Sequence, residues 1–237
     1  MKADRRIPSK AAAERPRART GTRARIVETA ARLFHEQGFA ATGVSTILRE
    51  ANVLSGSLYH FFPGKDALLD AVLDRYLERL DPDLLARARA VTRDPIERVF
   101  ALLDLYQRGM EMTGCTMGCP IGNLALEVGD SHDEARKKIE QNFVNWSSAV
   151  SGWLAQASDR FPAGTDFDAL GRFVLVVMEG AIMQVRARKT VAPFETAVSS
   201  LRDYFDRLIT SRGTPSRRRR PLRRRTSPTR NKRRTSP

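Results

Sequence analysis

Between Gly43 and Lys65 the chain compresses two short apolar stripes, a residue tolerant of left-handed backbone and a proline stop into one window. Few folds fit that pattern besides two crossed helices joined by a tight turn. Val44, Ile47, Leu48 and Ala51 recur at i, i+3, i+4 and i+7, which gives one helix a single buried stripe. Asn52 ends it, because asparagine accepts the left-handed conformation of a helix C-terminus, and Val53 then tucks into the corner. Ser55 is placed to cap a second helix whose Leu58 and Phe62 point inward, leaving Ser57, Tyr59 and His60 on other faces, and Pro63 forbids much continuation. Upstream, Thr22 to Gln37 reads as a helix with Ile26, Ala30, Leu33 and Phe34 as its stripe, ended by Gly38. Three such helices with a compact polar outer face suit the major groove of DNA.

No segment of useful length alternates with period two, so the expected class is all-α. A helix over Lys65 to Leu80, with Leu69, Val72, Leu73, Tyr76 and Leu80 inward, breaks at Asp81-Pro82. Pro95 opens another, whose Ile96, Val99, Phe100, Leu103, Tyr106 and Met110 run to Thr113. Gly114 to Gly118 is a loop, and Pro120 restarts helix to about Val128. A long helix opens at Asp130-Ser131 and carries Ile139, Phe143, Trp146, Val150, Trp153 and Ala157. Ala169 to Lys189 is apolar on more than one side: Phe173, Val174, Val177, Ala181 and Val185 suit one face, and Leu175, Met178 and Ile182 another. Gly171 and Gly180 allow close approach, and a last helix covers Pro193 to Thr210.

The formal charge of +14 on 237 residues points to a polyanion, but its distribution matters more than its size. Residues 1–20 carry +5 and residues 211–237 carry +12, which leaves −3 for everything between. The organisation that follows is a basic arm (1–20), a helix-turn-helix domain (21–66), a body (67–210) and an Arg-rich tail (211–237), with the two flanks disordered. The N-terminus has no apolar signal core, and the strongly apolar run from Phe173 to Met178 stops at Glu179, so neither secretion nor membrane spanning is expected. Two cysteines, Cys115 and Cys119, make no disulfide framework, and the default compartment is a reducing cytoplasm. A zinc site is poorly served by two cysteines and scattered histidines at 35, 60 and 132. No nucleophile elbow, His-Glu-x-x-His or phosphate-cradling glycine loop occurs, so neither an enzyme nor a cofactor is expected.

Gly38-Phe-x-x-Thr42, Ile47, Ala51 and the run Gly56-Ser-Leu-Tyr-His-Phe-Phe-Pro-Gly-Lys65 resemble the DNA-binding domain of TetR-type transcriptional regulators. Gly118-Cys-Pro-Ile-Gly-Asn-Leu-Ala-Leu-Glu127 and Met178-Glu-Gly-Ala-Ile-Met-Gln-Val-Arg-Ala187 resemble the C-terminal domain of the LmrA/YxaF-like branch of that family. The resemblance implies about nine helices, a homodimer formed by the last two long helices, and a repressor released from a palindromic double-stranded DNA operator by a small apolar or aromatic effector.

By position, Leu54, Ser55 and Ser57, with Ser45 and Thr46 from the preceding helix, would read bases; Leu54 can meet a thymine methyl. Tyr59, His60 and Lys65 match the family's phosphate-contacting positions. Leu103, Tyr106, Gln107, Met110, Cys119, Asn123, Phe143, Trp146 and Met178 are the candidate effector residues, an apolar lining with a few orienting polar groups. Two rival readings follow from other features. The Arg-rich tail suits a nonspecific, architectural DNA binder. Cys115 and Cys119 suit a redox-sensing regulator, since Cys119 precedes a helix whose N-terminus stabilises a thiolate.

Overall fold

A computed structural model of the chain describes residues 11–210, in which every regular element is helical. The Arg-rich tail and the first half of the expected N-terminal arm lie outside the described residues. The head consists of α1 (Ala11–Gln37), α2 (Val44–Ala51) and α3 (Ser55–Phe61). Here α1 starts well before Thr22, where periodicity had placed it. Residues 11–21 are rich in alanine and arginine, good helix formers that carry no apolar stripe for a periodicity argument to find.

The helix α4 (Lys65–Leu80) connects head to body and buries Leu68, Leu69, Val72 and Leu73. Contrary to expectation, Pro82 does not break it. The backbone widens into a π-helical turn over Asp81–Leu85, where the Ala86 N–H donates to the Asp81 carbonyl, and runs on into α5 (Ala86–Val91). The wider turn absorbs a residue whose ring and missing N–H would disrupt an α-helical ladder. Counted through that turn, the described residues hold nine helices.

The body continues with α6 (Pro95–Met112), α7 (Pro120–Val128), α8 (Asp133–Gln156), α9 (Phe167–Arg188) and α10 (Ala192–Thr210). Asp94 caps α6 by accepting from the Ile96 and Glu97 N–H groups at 2.8 and 3.3 Å, and Asp166 caps α9 through the Ala169 N–H at 2.9 Å. Val99, Leu102, Val150, Leu154, Val174, Val185 and Phe194 form the solvent-free centre. Helices α8 and α9 approach closely at Gly171, where a Cβ would lie 2.3 Å from Ser151 Oγ and 2.6 Å from the Ser147 carbonyl.

The two faces of α9 divide differently from the sequence expectation. Val174, Met178, Ala181, Ile182 and Val185 are buried within the chain, whereas Phe173, Val176 and Met183 are exposed. Phe173 therefore parts company with Val174, and Gly180 sits in open space on the outward side. No helix among the described residues is long and apolar enough to cross a membrane.

Candidate functional site

In the head, Asn52 adopts the expected left-handed conformation (φ 52°, ψ 55°), and the Val53 N–H reaches back to the Leu48 carbonyl at 3.1 Å. Gly43 opens α2 with no side-chain cap. Ser55 is not the cap of α3 but its first helical residue, because Leu54 holds the cap position and its carbonyl accepts from the Ser57 N–H at 2.9 Å. That shift leaves Leu54 at the tip of α3, 83% exposed. Ser45, Ser55, Tyr59 and His60 are also exposed, Thr46 and Ser57 are half-buried, and Leu58 and Phe62 form the floor beneath. Of the eight candidate DNA contacts, five are thus exposed and two half-buried on α2, α3 and the turn between them.

Lys65 is placed differently. Its ammonium lies 4.2 Å from the centroid of the Phe39 ring and 3.4 Å from the Ala40 carbonyl. Burial pushes its pKa down, against the pull of Glu127 and Asp66. Lys65 therefore belongs to the joint between head and body.

That joint is built on the Gly38–Thr42 corner. Gly38 turns the chain out of α1 at φ +90°, Phe39 packs edge-to-face on Phe34 at 5.2 Å, and the buried Thr42 hydroxyl donates to the Gly38 carbonyl at 2.6 Å. Glu127, near the end of α7, accepts from the Phe39 and Ala40 N–H groups at 2.8 and 2.7 Å. A Cβ on Gly38 would sit 3.2 Å from both carboxylate oxygens, so the glycine also makes room for this contact. In the loop that leads into α7, the Gly118 carbonyl accepts from His35 Nε2–H at 2.6 Å. Burial, with Arg186 nearby, pushes the His35 pKa down, so the neutral ring is favoured. One short helix of the body, with the loop that enters it, is thus held to the head at two points.

The same helix lines two cavities. The larger, about 790 Å³, lies between α7 and α9 and includes Gly118, Asn123, Leu126, Val176, Met183 and Arg186. The smaller, about 270 Å³, lies among α4, α6, α7, α8 and α9 and includes Arg75, Tyr76, Tyr106, Trp146 and Met178. Cys119, Phe143, Leu175 and Glu179 line both. Of the candidate effector residues, Tyr106, Trp146 and Met178 are therefore on the smaller cavity, Asn123 on the larger, and Cys119 and Phe143 on the wall between. The other three are elsewhere: Leu103 and Met110 are buried in the core, and Gln107 pairs with Glu111 at 3.0 Å.

Residues 26–72 match the family model described as bacterial regulatory proteins, tetR family, and residues 95–201 match that of the tetracyclin repressor-like C-terminal domain. The HTH-type transcriptional regulator YxaF of Bacillus subtilis is 30% identical over 177 residues, covering 74% of this chain and 90% of its own. The chain belongs to the TetR family. LmrA of Bacillus subtilis, also an HTH-type transcriptional regulator, is 27% identical over 187 residues, covering 78% of this chain and 97% of its own. A crystal structure of the regulatory protein TetR from Rhodobacter sphaeroides superposes with a TM-score of 0.69 at 25% identity, over 76% of this chain and 96% of that one. This TetR-family chain is thus a helix-turn-helix, DNA-binding regulator of transcription, and the family is one of regulators rather than enzymes.

The residue that sequence reasoning missed in this TetR-family body is Glu179. Its carboxyl lies over Gly122, where a Cβ would come within 2.5 Å of Oε2, and it lines the same two cavities as Cys119. Burial raises its pKa, with the neighbouring Cys119 thiol opposing. The available signal was a lone acid at the end of an apolar helical run. Burial of Cys119, with Glu179 facing it, works against the thiolate that the redox reading needs. Cys119 does precede α7, and the Gly122 N–H donates to its Sγ at 3.4 Å, but burial and the facing carboxyl push the thiol pKa well up. Cys115 is likewise buried, in a loop position with φ 59°.

Proposed function

We propose that the protein is a homodimeric repressor that holds a near-palindromic operator and releases it when a small apolar or aromatic molecule enters the body. The observation that carries this reading is the double attachment of α7 and the loop entering it, which bond to the head through Glu127 and Gly118 while residues of α7 line both cavities. A ligand that binds better to one placement of α7 shifts the heads by that difference in affinity and no more.

On the operator, Leu54, Ser55 and Ser57, with Ser45 and Thr46, meet base edges, and Tyr59 and His60 hold phosphates. Lys65 joins them by leaving the Phe39 ring, a change its flexible stem allows. Pairing of α9 and α10 with a second copy is supported by the exposed apolar stripe Phe173, Val176, Met183 and by Tyr204, whose ring lies 5.4 Å from that of Phe173. Two heads then enter successive major grooves roughly 34 to 36 Å apart. The site of action is the cytoplasm.

Selection of bound duplexes from a random pool tests the reading. Enrichment of a palindrome with half-sites one helical turn apart is expected, and a pool with no enriched sequence overturns it. Sedimentation of the full chain as a monomer at micromolar concentration overturns the dimer.

A further inference from the structure

Residues 21–64 carry four arginines and three glutamates, and the ion pairs divide the arginines unequally. Arg32 takes Glu36 at 2.8 Å and also Glu50, while Glu28 goes to Arg75 of α4. Every acid of the head is thereby committed. Arg23, Arg25 and Arg49 are exposed and form no ion pair among the described residues, so the head presents more open positive charge than its net charge indicates. Arg23 is also held in place, because its guanidinium lies 5.1 Å from the centroid of the Phe62 ring. It stands three residues before Ile26 and seven before Ala30, on the line of the apolar stripe of α1, and so faces α3. Phe62 is the C-terminal cap residue of α3 and only 3% exposed, which puts the arginine across the exit of that helix. A guanidinium stacked on a ring uses its flat face and leaves the N–H fork at its edge to bond outward.

We infer that Arg23 binds a backbone phosphate of duplex DNA, clamping it from α1 while α3 lies in the groove. The inference rests on the reading of α2 and α3 as the DNA-contacting helices and extends the contact to a third. A recognition helix reads bases from its N-terminal end, here Leu54 and Ser55, so the Phe62 end lies toward the edge of the groove, where the phosphates run. Tyr59, three residues before Phe62 and 62% exposed, belongs to that end as well. The planar fork of an arginine takes two phosphate oxygens at once, a fit that an ammonium does not offer. With the side chain already ordered against Phe62, less freedom is lost on binding than for an arginine that nothing holds. Arg25 supplies the contrast. It carries the same charge on the same helix, but two residues on it points about 200° away around the axis.

Binding of the full chain to a fluorescently labelled random-sequence duplex, followed by anisotropy across a salt series, tests this, because phosphate contacts supply the sequence-independent part of affinity. Arg23→Leu keeps an apolar stem against Phe62 and removes the charge. It is expected to weaken binding about three- to tenfold and to reduce the slope of log K against log salt by about 0.9. Arg23→Lys keeps the slope and loses part of the affinity, since the charge remains and the fork does not. Arg25→Leu removes an equal charge and is expected to change the slope by less than about half as much. An unchanged slope in Arg23→Leu overturns the inference. So does an equal loss in Arg25→Leu, which marks bulk charge instead of a placed contact. Should Arg23→Leu fail to fold, Arg23→Gln removes the same charge and is judged by the same outcomes. Tyr59→Ala, measured in parallel, separates this inference from the reading beneath it. If Tyr59→Ala weakens binding and Arg23→Leu does not, only the Arg23 contact falls; if neither does, the assignment of α2 and α3 as the DNA-contacting helices falls with it.

Discussion

The outer face of the head and the smaller cavity of the body put polar chemistry to opposite uses. On the head, Leu54 and Tyr59 are 83% and 62% exposed, and the hydroxyls of Ser45 and Ser55 have water as a ready partner. In the cavity, Arg75 Nε and Glu179 Oε1 are shut away with no hydrogen-bond partner among the described residues. A surface whose groups are always satisfied can exchange water for phosphate with little reorganisation, so its selectivity among partners is modest. A buried site with unmet bonds rejects whatever does not meet them. The α7 helix lines the cavity and bonds to the head at the Gly38–Thr42 corner rather than at its outer face, and the comparison breaks most informatively where a substitution belongs to one side alone.

The largest expected effect is Gly171→Ala. Its Cβ would meet the Ser147 carbonyl at 2.6 Å, and a backbone atom in a helix cannot swing aside as a side chain can. Overpacking of this kind costs about 1 to 3 kcal/mol, which lowers the melting temperature by roughly 2 to 10 °C for a chain of this size. An unchanged melting temperature would mean that the body is looser than the Gly171 contact indicates.

Next is Glu127→Ala, which removes the acceptor of the Phe39 and Ala40 N–H groups. One of those bonds is part-buried and the other exposed, so the loss is about 1 to 2 kcal/mol. We expect the Phe39 and Ala40 amides to exchange faster with solvent while amides of α8 stay protected. Equal loosening of both would show that head and body do not separate along this joint.

Tyr59→Ala sits wholly on the other side of the comparison. Losing the phosphate contact proposed for this exposed residue should weaken binding to every duplex by a similar factor, about tenfold or less, and flatten its salt dependence. The melting temperature should not move. A shift in sequence preference instead would turn Tyr59 into a base reader.

The same contrast governs what could be read in advance. The Val44–Ala51 stripe, the left-handed Asn52 and the proline-led α6 and α7 follow from local rules, because each residue's neighbours along the chain decide its conformation. The outer face of the head was legible for the same reason: a residue pointing away from a short stripe is exposed whatever else folds. The cavity was not. Phe143 and Leu103 both occupy inward stripe positions, yet one lines a cavity and the other fills the core, a difference set by partners far away in sequence. Glu179 required knowing that Gly122 lies beneath it. Pro82 was misjudged because the local rule gives the cost of proline in an α-helix and omits the π turn that avoids it. The ammonium of Lys65 turned to Phe39, a contact no spacing announces.

The smallest effect concerns pH and the Gly118 end of α7. Burial, followed by the nearby Arg186, holds the His35 pKa below its ordinary 6.5, while the Gly118 bond and Glu36 oppose. As pH falls from that value, the unfolded chain takes up a proton before the folded one, so this contribution is complete above pH 6.5 and is lost on acidification toward the depressed folded value. Glu179 titrates in the opposite sense, since a carboxyl whose pKa is raised by burial contributes stability that is lost as pH rises. The melting temperature of the chain alone therefore mixes the two, and the difference between the wild type and His35→Gln isolates the histidine. That difference should shrink on going from about pH 7.5 to pH 5.5, by less than about 2 °C. A constant difference would mean that the Gly118 clamp is indifferent to the protonation of His35, so that acidification leaves this contact between head and body intact.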